Sequence, residues 1–175
     1  MIDAVFERLT IWLAPLIPFT MEEAWTTRFP DAGSNCLRTM PDTPAAWRND
    51  AEASRWEKVQ TVLAAVTGAL EVERREKRIG GALEASPRVF IAEPELLAAF
   101  DGIDAAEVFR TSTAELKPGA GPEGAFRLPE APGVAVEARR ADGCKCARCW
   151  RFLPEVKHEG GLCLRCEAAL EELRD

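Results

Sequence analysis

Cys146-Ala147-Arg148-Cys149 and Cys163-Leu164-Arg165-Cys166 form two Cys-x-x-Cys pairs separated by a loop of thirteen residues. A chain that carries them has to bring four thiols to one point, and this restricts its C-terminal fold more than any apolar pattern does. Four soft thiolates in two knuckles suit the tetrahedral preference of zinc, and they leave no open position at which water could be activated. One structural Zn2+ held by Cys146, Cys149, Cys163 and Cys166 is therefore expected, folding the region rather than catalysing. Two disulfides or six free thiols are the plain alternatives, and a rubredoxin-like iron site uses the same ligands; the paired spacing favours a metal. Cys144 makes Cys144-x-Cys146 an alternative ligand choice, although the Cys-x-x-Cys geometry favours Cys146. Cys36 stands alone, and with His158 as the only histidine it reads as a small semi-buried side chain rather than a nucleophile.

The 175 residues suffice for one large domain or two small ones. The most apolar early stretch, Ile11 to Phe19, is interrupted by Pro15 and Pro18 and is too short for a membrane span or a signal peptide core. A cytoplasmic location without membrane contact is expected, and it weighs against disulfides. A net charge of -7 excludes a general polyanion binder, so any nucleic-acid contact must come from a local basic surface. One such surface surrounds the cysteines, where Lys145, Arg148, Arg151, Lys157 and Arg165 outnumber Glu155 and Glu159. Arg148-Cys149-Trp150-Arg151 sets an indole between two guanidinium groups, a combination that stacks single-stranded bases and grips phosphates. In the competing reading, Trp150 and Phe152 cover the metal and give a small module its hydrophobic cap.

Ile2, Val5, Phe6, Leu9, Trp12 and Leu13 recur at helical spacing from the second residue onward, with no capping residue ahead of them. This start suggests a chain cut from something longer. Pro15 and Pro18 break the helix, and Thr20 to Glu23 reads as a capping box, with Phe19 stapling a second helix through about Phe29. A turn-rich stretch from Pro30 to Pro44 includes a short extended piece near Cys36 to Met40. A long helix is expected over 50–79, its seam formed by Trp56, Val59, Leu63, Val66 and Leu70. It closes on Glu71, Glu73 and Glu76 mixed with Arg74, Arg75, Lys77 and Arg78, with Gly80-Gly81 as the stop. These cations suit either a solvated helix end favoured by the dipole or a phosphate contact through Lys77 and Arg78. Beyond Gly81 the pattern shortens: strands at 88–92, near 107–111 and at 134–138, a short helix at 94–100, and a Pro/Gly-rich connection over 117–133. The fold class is α+β, with a helical bundle portion (1–80), a small mixed α/β region (81–141) and a terminal zinc knuckle (142–175).

Lys145 to Phe152 together with Leu162 to Leu170 resembles the C-terminal zinc module of bacterial isoleucyl-tRNA synthetases, a zinc-finger family shared with formamidopyrimidine-DNA glycosylases. Leu13-Ala14-Pro15-Leu16-Ile17-Pro18-Phe19-Thr20-Met21-Glu22-Glu23-Ala24-Trp25 resembles a segment of the anticodon-binding helical domain of class I synthetases for aliphatic amino acids. Arg78-Ile79-Gly80-Gly81-Ala82-Leu83-Glu84-Ala85 is similar to the turn that leaves that domain. Methionyl, valyl and leucyl relatives share the helical domain without typically ending in this zinc module. The resemblance implies a region laid along the anticodon arm of tRNA(Ile), working with catalytic, ATP-binding and editing domains of the same synthetase. It implies no aminoacylation by this chain alone, because no HIGH or KMSKS signature is present. Arg148, Trp150 and Arg151 are the expected RNA contacts, supported electrostatically by Lys145, Arg165, Lys77 and Arg78. The alternative is a free-standing zinc-stabilised module that binds protein, or DNA in the glycosylase manner.

Overall fold

A computed structural model describes residues 2–173, which form two compact units dividing between Asn49 and Asp50. In the first unit, α1 (Ile2–Leu13) and α2 (Pro18–Arg28) pack together around Trp25 and Phe29, whose rings lie 4.6 Å apart. The corner at Pro15 and Pro18 forms as the sequence suggests. Its capping differs: α2 begins at Pro18, Ile17 is the N-cap without a side-chain hydrogen bond, and Phe19 is 89% exposed rather than stapled. A proline at the first helical position needs no donor, so no Thr20 cap is required.

A polar knot closes this unit. The buried Asn35 amide donates to the Thr10 carbonyl at 2.9 Å, and Arg38 donates to Asn35 Oδ1 while lying 3.5 Å from the Trp25 ring centre. Asn35–Leu37 is a 3-10 turn where an extended piece was expected, its N-cap Ser34 side chain accepting from Cys36 N–H. Cys36 is exposed, not semi-buried. Ile2, Leu16 and Phe19 stand on the surface at 77% exposure or more, and Val5, Leu9 and Trp12 are also exposed.

In the second unit, α3 (Asp50–Arg75) lies against a three-stranded sheet with the order β2-β1-β3. β1 (Arg88–Ile91) is central. It pairs in parallel with β2 (Glu115–Pro118) and antiparallel with β3 (Val134–Glu137), in the register Val89 to Leu116 and Val89 to Val136. The parallel pair needs a crossover, and α4 (Pro94–Ala98) and α5 (Ala105–Phe109) supply it. The core is Val59, Val62, Val66 and Leu70 of α3 against Val89, Ile91, Val134 and Val136. Trp56, expected in the seam, is 39% exposed.

Two expectations fail here for identifiable reasons. Residues 105–109 form a helix, not a strand, because the Asp104 carboxylate caps Ala106 N–H at 2.9 Å and two alanines follow. Gly80-Gly81 is not the stop of α3. The helix ends at Arg75, Lys77 takes a left-handed φ of 58°, and Arg78 N–H and Lys77 N–H donate to the carbonyls of Glu73 and Arg74. This pair of bonds is a Schellman turn, with lysine where glycine is usual. Among the described residues no helix is long and apolar enough to cross a membrane. Asp104→Ala is expected to destabilise the second unit by about 1 kcal/mol in denaturant unfolding, through loss of the cap.

Candidate metal centre and its surface

The hairpin of β4 (Cys144–Lys145) and β5 (Phe152–Leu153) carries the first cysteine pair on its turn. Cys146 N–H donates to the Arg151 carbonyl at 2.9 Å and Trp150 N–H to the Cys146 carbonyl at 3.0 Å, which folds Cys146 to Cys149 into a tight knuckle. Gly143 makes the hairpin possible: its φ is 94°, and a Cβ there would stand 2.1 Å from the Leu153 carbonyl oxygen. The second pair opens α6 (Leu164–Glu171), with Cys163 as its N-cap residue. Two bonds join the pairs, from Ala147 N–H to the Gly161 carbonyl at 2.9 Å and from Cys163 N–H to Cys146 Sγ at 3.3 Å.

The four sulfurs of Cys146, Cys149, Cys163 and Cys166 all lie within 4.8 Å of one another, and Cys149 and Cys163 are 3.7 Å apart. A tetrahedron with metal–sulfur bonds of about 2.3 Å has edges of about 3.8 Å, so the cage has the size that a zinc or iron tetrathiolate needs. All six cysteines are free thiols, and Cys144 stands outside the cage, packed against it. Cover comes from Val156, Leu153 and Leu162. Trp150, 58% exposed, does not cap it.

Burial opposes ionisation of Cys146, but the N–H groups of Cys149, Cys163 and Arg148, with the Cys149 thiol, outweigh it and bring the group down to about 6. Cys163 is pushed up to about 12, first by burial and then by neighbouring thiols that prevail over the Cys166 N–H. Cys149 is also raised, chiefly by burial. One thiolate thus forms easily while others in the cage resist a further negative charge, which is the electrostatic condition a bound dication relieves. With four protein ligands and no open position, the metal would supply a cross-link and charge balance.

The structure distributes the expected RNA-contact residues unequally. Lys145 Nζ lies 4.9 Å from the Trp150 ring centre, and Trp150 holds a left-handed φ of 66° that a bulky side chain rarely adopts. Arg148 sits against the cage, 3.9 Å from Cys166 Sγ. Arg151 turns inward and donates through both Nε, at 2.8 Å, and a terminal nitrogen to the Ser112 carbonyl. Arg165 pairs with Glu107 at 3.1 Å. At the end of α3, Arg78 is bound by Glu73 at 2.5 and 2.6 Å and by Glu76, whereas Lys77 is exposed.

No local pattern marks Ser112, a fully buried residue on which the knuckle rests. Its hydroxyl donates to the Leu83 carbonyl and accepts from Phe152 N–H at 2.6 Å, and its own N–H donates to the Ala85 carbonyl at 3.0 Å. Arg151→Ala is expected to retain one metal per chain yet lose about 1.5–3 kcal/mol in denaturant unfolding, because the charged donor to a buried carbonyl is gone. Metal uptake at pH 7 should release protons, since Cys163 starts as a thiol, and the apparent affinity should fall as pH is lowered. Zinc titration with an indicator dye checks both effects; uptake without proton release would contradict the charge state derived for the cage.

Residues 1–89 match the family model of the anticodon-binding domain of tRNA ligase. The chain is 66% identical over 155 residues to an isoleucine–tRNA ligase of Caulobacter vibrioides, covering 89% of this chain and 16% of the relative. It is 50% identical to that of Agrobacterium fabrum, covering 98% of this chain and 18% of the relative, and 46% identical to that of Bartonella henselae, covering 97% and 18%. The chain thus spans less than a fifth of the length of these relatives. With a matching model over more than half of its residues, the chain belongs to the anticodon-binding domain family of tRNA ligases.

Proposed function

We propose that this chain is the tRNA-binding C-terminal region of an isoleucine–tRNA ligase, that it reads the anticodon arm of tRNA(Ile), and that one structural Zn2+ on Cys146, Cys149, Cys163 and Cys166 braces the reading surface. The carrying observation is Trp150. Its indole is exposed, its backbone is held left-handed by the knuckle, and Lys145 lies across its ring. A residue kept in a strained conformation where glycine would fit more easily is retained for its side chain, and an exposed indole beside cations is a base-stacking platform. Lys145 and Arg148 supply the nearby charge. Arg151 serves by fixing the knuckle on Ser112, and Arg165, tied to Glu107, contributes only to the surrounding field.

The functional division follows the three parts 1–80, 81–141 and 142–175, in a cytoplasmic enzyme whose catalytic and editing domains lie elsewhere. The exposed apolar face of α1 and the α1–α2 corner, with Ile2, Leu9, Leu16 and Phe19, suits packing against those other parts rather than against solvent. In the metal-loaded chain, Trp150→Ala should weaken binding of tRNA(Ile) by about 1–3 kcal/mol, measured by fluorescence anisotropy. An affinity that is unchanged while zinc content and fold are retained would refute the stacking role. Equal binding of duplex DNA would favour a glycosylase-like module, and absence of all nucleic-acid binding would favour a protein-interaction module.

A further inference from the structure

The four sulfurs of the cage differ in what holds them. Cys146 Sγ accepts the Cys163 N–H at 3.3 Å, and the Arg148 guanidinium lies 3.9 Å from Cys166 Sγ. Each of these two sulfurs is tied to a nitrogen donor on the opposite knuckle. Cys149 and Cys163 instead meet each other, their sulfurs 3.7 Å apart across 14 residues of chain. Solvent also reaches the four unequally: Cys146, Cys163 and Cys166 are buried, whereas Cys149 is half-buried. Oxidation of a thiol follows its exposure. An oxidant entering from solvent therefore meets Cys149 first, and a thiol facing it belongs to the other knuckle.

We propose that Cys149 and Cys163 are a redox pair, which closes a disulfide across the two knuckles when a peroxide reaches the cage and the metal leaves. The Cys149 sulfur attacks the peroxide; the O–O bond breaks, one water departs and Cys149 becomes a sulfenic acid. The Cys163 sulfur then attacks the Cys149 sulfur. The S–O bond breaks as the S–S bond forms, and the Cys163 proton leaves with the hydroxyl as a second water. Two thiols have given up two electrons and one peroxide has become two waters. The sulfurs have to approach from 3.7 Å to about 2 Å, a contraction that an emptied cage permits.

This bond joins the β4–β5 hairpin to α6, as a metal would, so a cross-link persists after the metal has gone. A disulfide within either Cys-x-x-Cys pair would close one knuckle on itself and leave the two parts joined by hydrogen bonds alone. Cys144, packed against the cage but outside it, stays a thiol. Only Cys146 and Cys166 of the four ligands then remain, so metal returns when a thiol reductant reopens the bond. The inference rests on the cage geometry and not on the RNA reading.

Trypsin cuts after Lys145, Arg148, Arg151, Lys157 and Arg165, which puts Cys144, Cys146, Cys149, Cys163 and Cys166 on five separate peptides. The full chain loaded with Zn2+ is treated with hydrogen peroxide, alkylated and digested, and cross-linked peptides are identified by mass spectrometry. The major product should join 149–151 to 158–165, with zinc released in parallel, and a thiol reductant should restore uptake of one metal per chain. Cys144→Ser should give the same product. Major cross-links within either Cys-x-x-Cys pair or to Cys144, or sulfinic acid without a cross-link, would overturn the pair. The oxidised, metal-free chain should also unfold at a higher urea concentration than the reduced, metal-free chain, because the bond restricts the unfolded state. Equal midpoints would refute the brace. Should the chain take up no zinc and still form this bond, the metal reading would fall and the redox pair would stand.

Discussion

Four thiols whose sulfurs lie within 4.8 Å cannot all become anions unless a cation joins them, and the C-terminal part of the chain is built on that constraint. Its own buried cluster is small: Val156 and the cysteines, with Leu153 and Leu162 partly covered. Apolar burial on this scale does not order a module, so the cage has to substitute for a core. Burial, backbone donors and mutual repulsion leave Cys146 easily ionised and Cys163 strongly resistant. A bound dication would remove the conflict and fix both knuckles at once. Arg151 and Ser112 tie the knuckle to the neighbouring sheet region.

Lys77 and Trp150 share an unusual property. Each is a large side chain in left-handed backbone at a tight turn, one ending a helix and the other closing a metal knuckle. Glycine would satisfy either turn with less strain. Each instead shows solvent a functional side chain, an ammonium in one case and an indole in the other. The two turns thus hold both side chains on well-defined backbone rather than on long loops.

Much of this was legible in the residues. The paired cysteines, the seam of α3, β1, β3 and the proline corner all follow from spacing and punctuation. Val108, Phe109 and Thr111 suggest a strand near 107–111, whereas the Asp104 cap followed by Ala105-Ala106 decides for a helix over Ala105–Phe109. β2 leaves little trace in the sequence because it ends on Pro118, which an edge strand tolerates and a central one does not. Gly80-Gly81 suggests a later end for α3 than Arg75 because glycine is the usual left-handed stop, a position that Lys77 fills here. At the site, the ligand set could be read from spacing, but the fate of each arginine could not. Whether Arg151 faces solvent or Ser112 depends on a contact spanning 39 residues, and no local pattern encodes it.

Ser112 carries one further consequence. Its hydroxyl, N–H and carbonyl are all committed, to Leu83, Ala85, Phe152 and Arg151, so it stitches the segment after α5 to the 3-10 turn at Ala82–Glu84 and to the knuckle. Loss of a metal held by the cysteines would loosen two of those partners together. The effect would be internal, falling on the backbone near 110–114 through its contacts to β5 and the adjoining knuckle. A metal-depleted chain would therefore register its loss well upstream of its cysteines, at a place that carries no ligand.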